Sequence, residues 1–271
     1  MDTVGTREDD NMTWLSVAMI AHNEADCIAA SLSSVRWADQ IIVVDCDSDD
    51  NTAKIAQKAG AEVYREPNRR NLNVNKNISI DHCNSDWVLV LDADEIIPYD
   101  LAGEIRKTIN ETDAAGFLIA RRNNILGRWL KYGGQYPDWQ LRLFRKDCAR
   151  FPAVHIHERI KIDGKVDKLT LPFDHYPYLR VTDMLRKGTF YAEFETKYLK
   201  DKGHKVSSFG LIIKAGIKPA FRFIRRYIFK GGFLDGIPGL VTAYFDAWNQ
   251  AVRWIALWDS RRSIPEGNEY E

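Results

Sequence analysis

The chain has 271 residues, enough for one large α/β domain with an appendage or for two small domains, and it can bury a core. Hydrophobic residues make up 45% and charged residues 28%, ordinary globular values. Lys+Arg and Asp+Glu both number 38, so overall charge names no partner, but its distribution argues against nucleic acid: acids crowd the first half, whereas Lys205 to Lys230 holds many cations and no acid.

Residues Met1 to Asn11 are polar and acidic and read as a loose lead-in. Trp14 to Ile20 is apolar enough for a first buried strand, with Ala21-His22-Asn23-Glu24 at its carboxyl end. Ile28, Leu32 and Val35 then recur at helical spacing. Gln40 to Asp45 repeats the strand, Cys46 to Asp50 is a carboxylate-rich turn, and Thr52 to Ala59 a short helix closed by Gly60 as a left-handed cap. Ala61 to Tyr64 is a third strand and Asn75 to Cys83 a helix. Trp87 to Leu91 is an unbroken apolar run, the signature of a strand buried on both faces in a parallel sheet.

At the carboxyl end of that strand stand Asp92, Asp94 and Glu95. Two carboxylates two residues apart can point the same way at the sheet edge where open α/β sheets bind ligands, a site for a hard divalent cation. The competing reading is a cap for the next helix, which Pro98 opens and which runs to about Asn110. Gly116 to Ala120 is another strand. Strands alternating with helices imply parallel βαβ units with right-handed crossovers, so the expected fold class to about Ala120 is a three-layer α/β sheet.

Beyond Arg121 the texture changes. Gly127, Gly133, Gly134 and Pro137 punctuate a loop-rich stretch, then Trp139 to Arg145 alternates like a half-exposed strand. Ala153 to Ile162, containing His155 and His157, and Lys165 to Leu171 read as further strands. From Thr182, a suitable N-cap, the chain turns helical, with breaks expected near Gly203 and Pro219 and a turn at Gly231-Gly232. Cys27, Cys46, Cys83 and Cys148 are scattered, which excludes a Cys-x-x-Cys zinc site or a disulfide framework and fits reduced thiols in the cytoplasm. No leader pattern and no apolar run of roughly 20 residues is expected.

Three blocks together carry a resemblance: Ala21-His22-Asn23-Glu24, the run Val43-Val44-Asp45-x-Asp47-Ser48-x-Asp50-x-Thr52, and Asp92-Ala93-Asp94. Their order and spacing resemble the family 2 glycosyltransferases of GT-A fold. Within that family the chain looks most like bacterial lipopolysaccharide core glucosyltransferases, which add a β-linked glucose to inner-core heptose. That narrower likeness rests on Asn75-Lys76-Asn77, Tyr136 to Arg145, His157-Glu158 and Gly232-Phe233-Leu234-Asp235-Gly236, and overall it covers Ser16 to Trp258. One departure stands out. Many members carry two adjacent aspartates after the second strand, one reading uracil, where this chain has Asp45-Cys46, so the base-reading residue is open.

The resemblance implies a GT-A domain over 12–178, with a nucleotide-sugar half 12–120 and an acceptor half 121–178, followed by a helical region over 179–271. It implies an inverting transfer of a hexose, glucose first, from a UDP-sugar to a lipopolysaccharide core or other surface glycan, assisted by Mg²⁺ or Mn²⁺. A protein or peptide acceptor and a non-catalytic sugar-nucleotide-binding subunit are the alternatives. The implied donor-binding residues are Ala21, Asn23, Glu24, Asp45, Asp47, Lys76, Asp92, Gln140 and Arg142, with Asp94 and His157 as metal ligands. His157 has a structural histidine as its alternative, and Arg69 and Arg70 have solvated surface charge as theirs. Asp138 is the candidate general base and Glu95 the reserve. In the tail, Leu211 to Phe229 interleaves Lys and Arg with Phe, Ile and Tyr, and Tyr244 to Trp258 is rich in aromatics. Either these helices lie in an anionic lipid interface at the inner face of the cytoplasmic membrane, or they pack on the sheet or on a second subunit as a homo-oligomer.

Overall fold

The structure, a computed structural model, describes residues 13–69, 71–152 and 160–260. The first strands are β1 (Leu15–Ala21), β2 (Gln40–Asp45), β3 (Glu62–Arg65) and β4 (Trp87–Val90), interleaved with α1 (Ile28–Ser34), α2 (Thr52–Lys58) and α3 (Leu72–Asp81). These four strands are parallel, in the spatial order β3-β2-β1-β4. Every residue of β4 is buried, as an apolar run covered on both faces requires. Alternate side chains go to opposite faces. Val17, Met19, Trp87 and Leu89 pack with Ile28, Leu32 and Ile105 on one face, while Ala18, Ile42, Val88 and Val90 pack with Ile80 on the other. Gly60 closes α2 at φ +91°, the left-handed conformation its position was expected to need.

The chain continues through β5 (Glu95–Ile96), α4 (Tyr99–Glu111), β6 (Gly116–Ile125), β7 (Arg128–Trp129), β8 (Asp138–Arg145), β9 (Ala149–Arg150), β10 (Lys161–Ile162), β11 (Val166–Lys168) and β12 (Phe173–Tyr178). Here the sheet turns mixed. β8 enters antiparallel between β4 and β6, and β12 joins β6 to β5. The strand expected over Ala153 to Ile162 is described only at Lys161–Ile162, where it pairs with β9; residues 153–159, and with them His155, His157 and Glu158, lie outside the described residues, as does Arg70. β12 has no counterpart in the sequence reading.

Two compact units divide the described residues. One runs to Arg122 and takes in Pro137–His175; the other takes Asn123–Tyr136 and everything described from Tyr176 onward. In the second unit α5 (Val181–Asp201) begins one residue before Thr182, with Arg180 as its N-cap, because the Asp183 carboxylate accepts the Arg180 N–H at 2.9 Å. The helix then ends at Gly203 as expected. From Ser208 to Phe229 the backbone is helical without the expected break at Pro219: α6 (Ser208–Leu211), a wide π turn over Ile212–Ile217, α7 (Lys218–Ile224) and a second π turn over Arg225–Phe229. Pro219 follows directly on the wide turn Ile212–Ile217, whose looser backbone makes room for the pyrrolidine ring. After Gly231-Gly232 and a short 3₁₀ turn, α8 (Gly236–Asp259) packs along α5. A Cβ at Gly188 of α5 would stand 2.8 Å from the Asn249 side chain of α8, so these helices approach closely.

Candidate active site

The site grows from the turn between β4 and β5. Glu95 folds back over it: its backbone N–H donates to the Asp92 carbonyl at 3.0 Å and its carboxylate accepts the Asp92 N–H at 2.9 Å. Glu95 is fully buried. Asp92 is gripped from both sides, by Lys76 Nζ at 2.8 Å on Oδ1 and by Arg142 Nη2 at 2.7 Å on Oδ2. Burial opposes ionisation of Asp92, but Arg142 and Lys76 outweigh it and hold its carboxyl well below the usual range. The same Arg142 nitrogen reaches Glu95 Oε1 at 2.5 Å. Burial pushes Glu95 up to about 7, with Arg142 pulling it down and Asp92 adding to the rise.

A second arginine extends the network. Arg121, opposite Asp138 in the β6–β8 register, donates from Nε and Nη2 to Asp138 Oδ2 at 2.9 and 2.7 Å and lies 3.6 Å from Glu95 Oε1. Gln140 donates to the other Asp138 oxygen at 2.7 Å. Lys76, Asp92, Arg142, Glu95, Arg121, Asp138 and Gln140 therefore form one chain of contacts along the sheet edge. Asp94 stands beside it with a different neighbour, His175, whose Nε2 lies 3.6 Å from Asp94 Oδ1. β12 brings His175 there by pairing it with Glu95 of β5. Burial pushes the His175 ring down to about 4, although Asp94 pulls the other way, so at neutral pH the ring is uncharged and can offer a lone pair.

The loops after β1 and β2 form the adjoining part of the edge. Ala21, last in β1, accepts the Cys46 N–H at 2.7 Å. Asn23 and Asp47 both adopt positive φ, +54° and +56°, which short polar side chains tolerate. The loops are cross-linked: Asn23 N–H donates to Ser48 Oγ at 3.0 Å, Asp49 N–H to Asn23 Oδ1 at 3.0 Å, and Glu24 N–H to Thr52 Oγ1 at 2.8 Å. Asp47 is exposed and meets Arg65 at 3.2 Å. Asp45 is 1% exposed, and its Oδ1 is buried with no hydrogen-bond partner among the described residues. An orphaned buried carboxylate oxygen is a ready acceptor for a ligand N–H. Cys46, at the departing position, points inward, with Asn75 Nδ2 donating to its Sγ at 3.0 Å. Asn75 and Lys76, adjacent on α3, thus tie the two loop clusters together.

The fold gathers the expected residues in these two adjoining groups, except His157, which lies outside the described residues. Sequence reasoning missed Arg121 and His175. The signal for Arg121 was a cation at the carboxyl end of an apolar strand; His175 carried none, because only its pairing with β5 puts it at the edge.

Residues 16–161 match the model of Glycosyl transferase family 2. An uncharacterized glycosyltransferase of Rickettsia prowazekii is 30% identical, over 92% of this chain and 88% of its own. The lipopolysaccharide core biosynthesis glycosyltransferase LpsC of Rhizobium meliloti is 25% identical over 86% of this chain and 90% of its own. Among solved structures, S. aureus TarS 1-349 in complex with UDP-GlcNAc superposes with a TM-score of 0.50 at 16% identity, covering 87% of this chain and 89% of that one, a likeness of fold. With the sheet order, the carboxylate turn at its edge and these matches, the chain belongs to glycosyl transferase family 2, as a GT-A α/β fold with a helical C-terminal part.

Proposed function

We propose that this family 2 enzyme is inverting and moves a hexose, glucose first among candidates, from a UDP-sugar to a lipopolysaccharide core or related surface glycan. The observation that carries the reading is the pair Asp94 and neutral His175 beside an Asp92 already matched by Lys76 and Arg142. Among the described residues no third acid, His or Cys completes a cage around a cation. The Asp94 carboxylate suits Mg²⁺ or Mn²⁺, which fill the rest of their shell with phosphate oxygens and water, and the His175 imidazole tips the choice toward Mn²⁺. A cation held by Asp94 and His175 would neutralise charge on the leaving diphosphate.

Asp45 Oδ1 suits the ring N–H of the donor base, which keeps a uridine nucleotide in the reading despite Cys46. The acceptor class draws on the likeness to LpsC. Asp138 is the general base. Two Arg121 N–H groups occupy Oδ2 and Gln140 donates to Oδ1, which orients the carboxylate, and Oδ1 is the oxygen that would meet an incoming hydroxyl. As the acceptor oxygen bonds to the anomeric carbon, its proton passes to Asp138 and the bond to the diphosphate breaks on the opposite face, with the electron pair leaving on phosphate. Glu95, fully buried, has no face toward an acceptor; it positions Arg142 and the Asp92 turn rather than serving as a second base.

The test is transfer from UDP-α-glucose to a truncated lipopolysaccharide core, with the anomeric configuration of the product read by proton NMR. A β-linked product supports the reading. An α-linked product would overturn both inversion and the role of Asp138.

A further inference from the structure

We propose that the helical run Ser208–Phe229 docks in plane on a membrane surface rich in anionic lipid. Phe209, Ile212, Ile217, Phe221, Ile224 and Ile228 are all exposed, between 41% and 73%. Their spacing is three, five, four, three and four residues. In an uninterrupted α-helix the step of five would swing the stripe off its face. Here that step spans the π turn Ile212–Ile217, whose period is wide enough to keep both ends in line. The backbone irregularity therefore preserves a continuous apolar face that solvent would not favour.

The cations divide by position. Lys214 lies over the Trp254 ring at 3.8 Å, and Arg222 and Arg226 pair with Asp246 of α8 at 2.5 and 2.8 Å, so these three hold the helix to its neighbour. Lys218, Arg225 and Lys230 are exposed, and among the described residues none has a carboxylate within ion-pair distance. On the helix Lys218 and Arg225 fall beside the stripe, each next in sequence to one of its members. Phe229, 76% exposed, and Phe233 flank Lys230 at the Gly231-Gly232 turn and extend the surface.

An apolar stripe edged by unmatched cations is complementary to a bilayer whose headgroups are negative, with the side chains entering the interface and the charges staying at headgroup level. A second copy fits poorly. From Lys202 to Leu234 the chain has eight Lys and Arg and no Asp or Glu, so a symmetric dimer through this face would set like charges against one another. Among the described residues no helix is long and apolar enough to cross a membrane, so the contact is in plane rather than spanning. This inference holds whichever sugar and acceptor the enzyme uses.

The test is sedimentation of the full chain with vesicles of phosphatidylcholine alone and of phosphatidylcholine mixed with phosphatidylglycerol. Binding is expected to the mixed vesicles only, weakening as salt is raised. The double variant Lys218→Glu/Arg225→Glu should lower partition by about 25-fold or more, roughly fivefold for each cation at the surface. Phe221→Ser/Ile224→Ser should release the protein from the same vesicles while leaving thermal unfolding and donor turnover unchanged. The proposal is overturned by equal sedimentation with both vesicles, by none with either, or by a dimer in light scattering that the serine variant dissociates.

Discussion

Replacing Arg142 with methionine keeps much of the side chain's volume and strips its charge from the most buried ion pair of the site. The Arg142 side chain is 8% exposed and Glu95 fully buried. Removing one partner of a buried pair destabilises by about 3–5 kcal/mol, because the other is left as an uncompensated charge. Two features put this case at the low end. Asp92 keeps Lys76 at 2.8 Å, and Glu95 keeps Arg121 at 3.6 Å and the Asp92 N–H at 2.9 Å. The expected loss is about 3 kcal/mol at pH 8, or roughly 6–12 °C in Tm for a chain of this size. Its pH dependence follows from Glu95. Burial raises its pKa from 4.5 to about 7, so the folded state holds an extra proton between those values, and this contribution to stability is present at low pH and lost as pH rises through about 7. Without Arg142 the carboxyl rises further, takes its proton more readily, and the deficit shrinks at pH 6. Thermal unfolding followed by circular dichroism at pH 6 and pH 8 measures both. A Tm within about 2 °C of the parent at pH 8, or a deficit that grows on acidification, would refute the reasoning.

Three further outcomes are expected. His175 moves from 6.5 down to about 4 on folding, so the folded state binds fewer protons in that window and stability from His175 falls on acidification, opposite to the trend from Glu95. His175→Gln should therefore leave the Glu95 trend exposed, with urea midpoints falling from pH 5 to pH 7; a flat profile would show that the two groups do not oppose each other. Asp138→Asn should lower kcat by about 10²–10⁴-fold with little change in donor KM, measured by product formation at saturating donor. Asp45→Asn should raise donor KM by roughly 10–100-fold, the range for losing a hydrogen bond to a charged acceptor, with kcat largely kept; an unchanged KM would remove Asp45 from the base subsite.

The apolar runs of β1, β2 and β4 and the helical spacing between them were legible because buried parallel strands need long hydrophobic stretches and leave their carboxyl ends polar. Asp92 and Asp94 could be placed at the sheet edge on that ground alone. What stayed hidden depends on cross-strand pairing. Arg121 meets Asp138 only because β8 slots between β4 and β6, and His175 meets Asp94 only because β12 pairs with β5. β12 reads Phe-Asp-His-Tyr-Pro-Tyr, with a proline and little aliphatic character, so no local pattern announces a strand. Pro219 misled for the opposite reason. Local chemistry called for a break, but the wide turn just before α7 gives the pyrrolidine ring room, and the backbone stays helical through it.

Metal-dependent UDP release tests the central claim most directly, since it needs no knowledge of the acceptor. The purified protein would be given a panel of UDP-sugars with Mn²⁺, with Mg²⁺ and with chelator, beside Asp94→Ala and His175→Ala. Release from one sugar that chelator abolishes, and that both substitutions lower, is the predicted result. Release indifferent to chelator and to both substitutions would contradict the assignment of Asp94 and His175 to a catalytic cation.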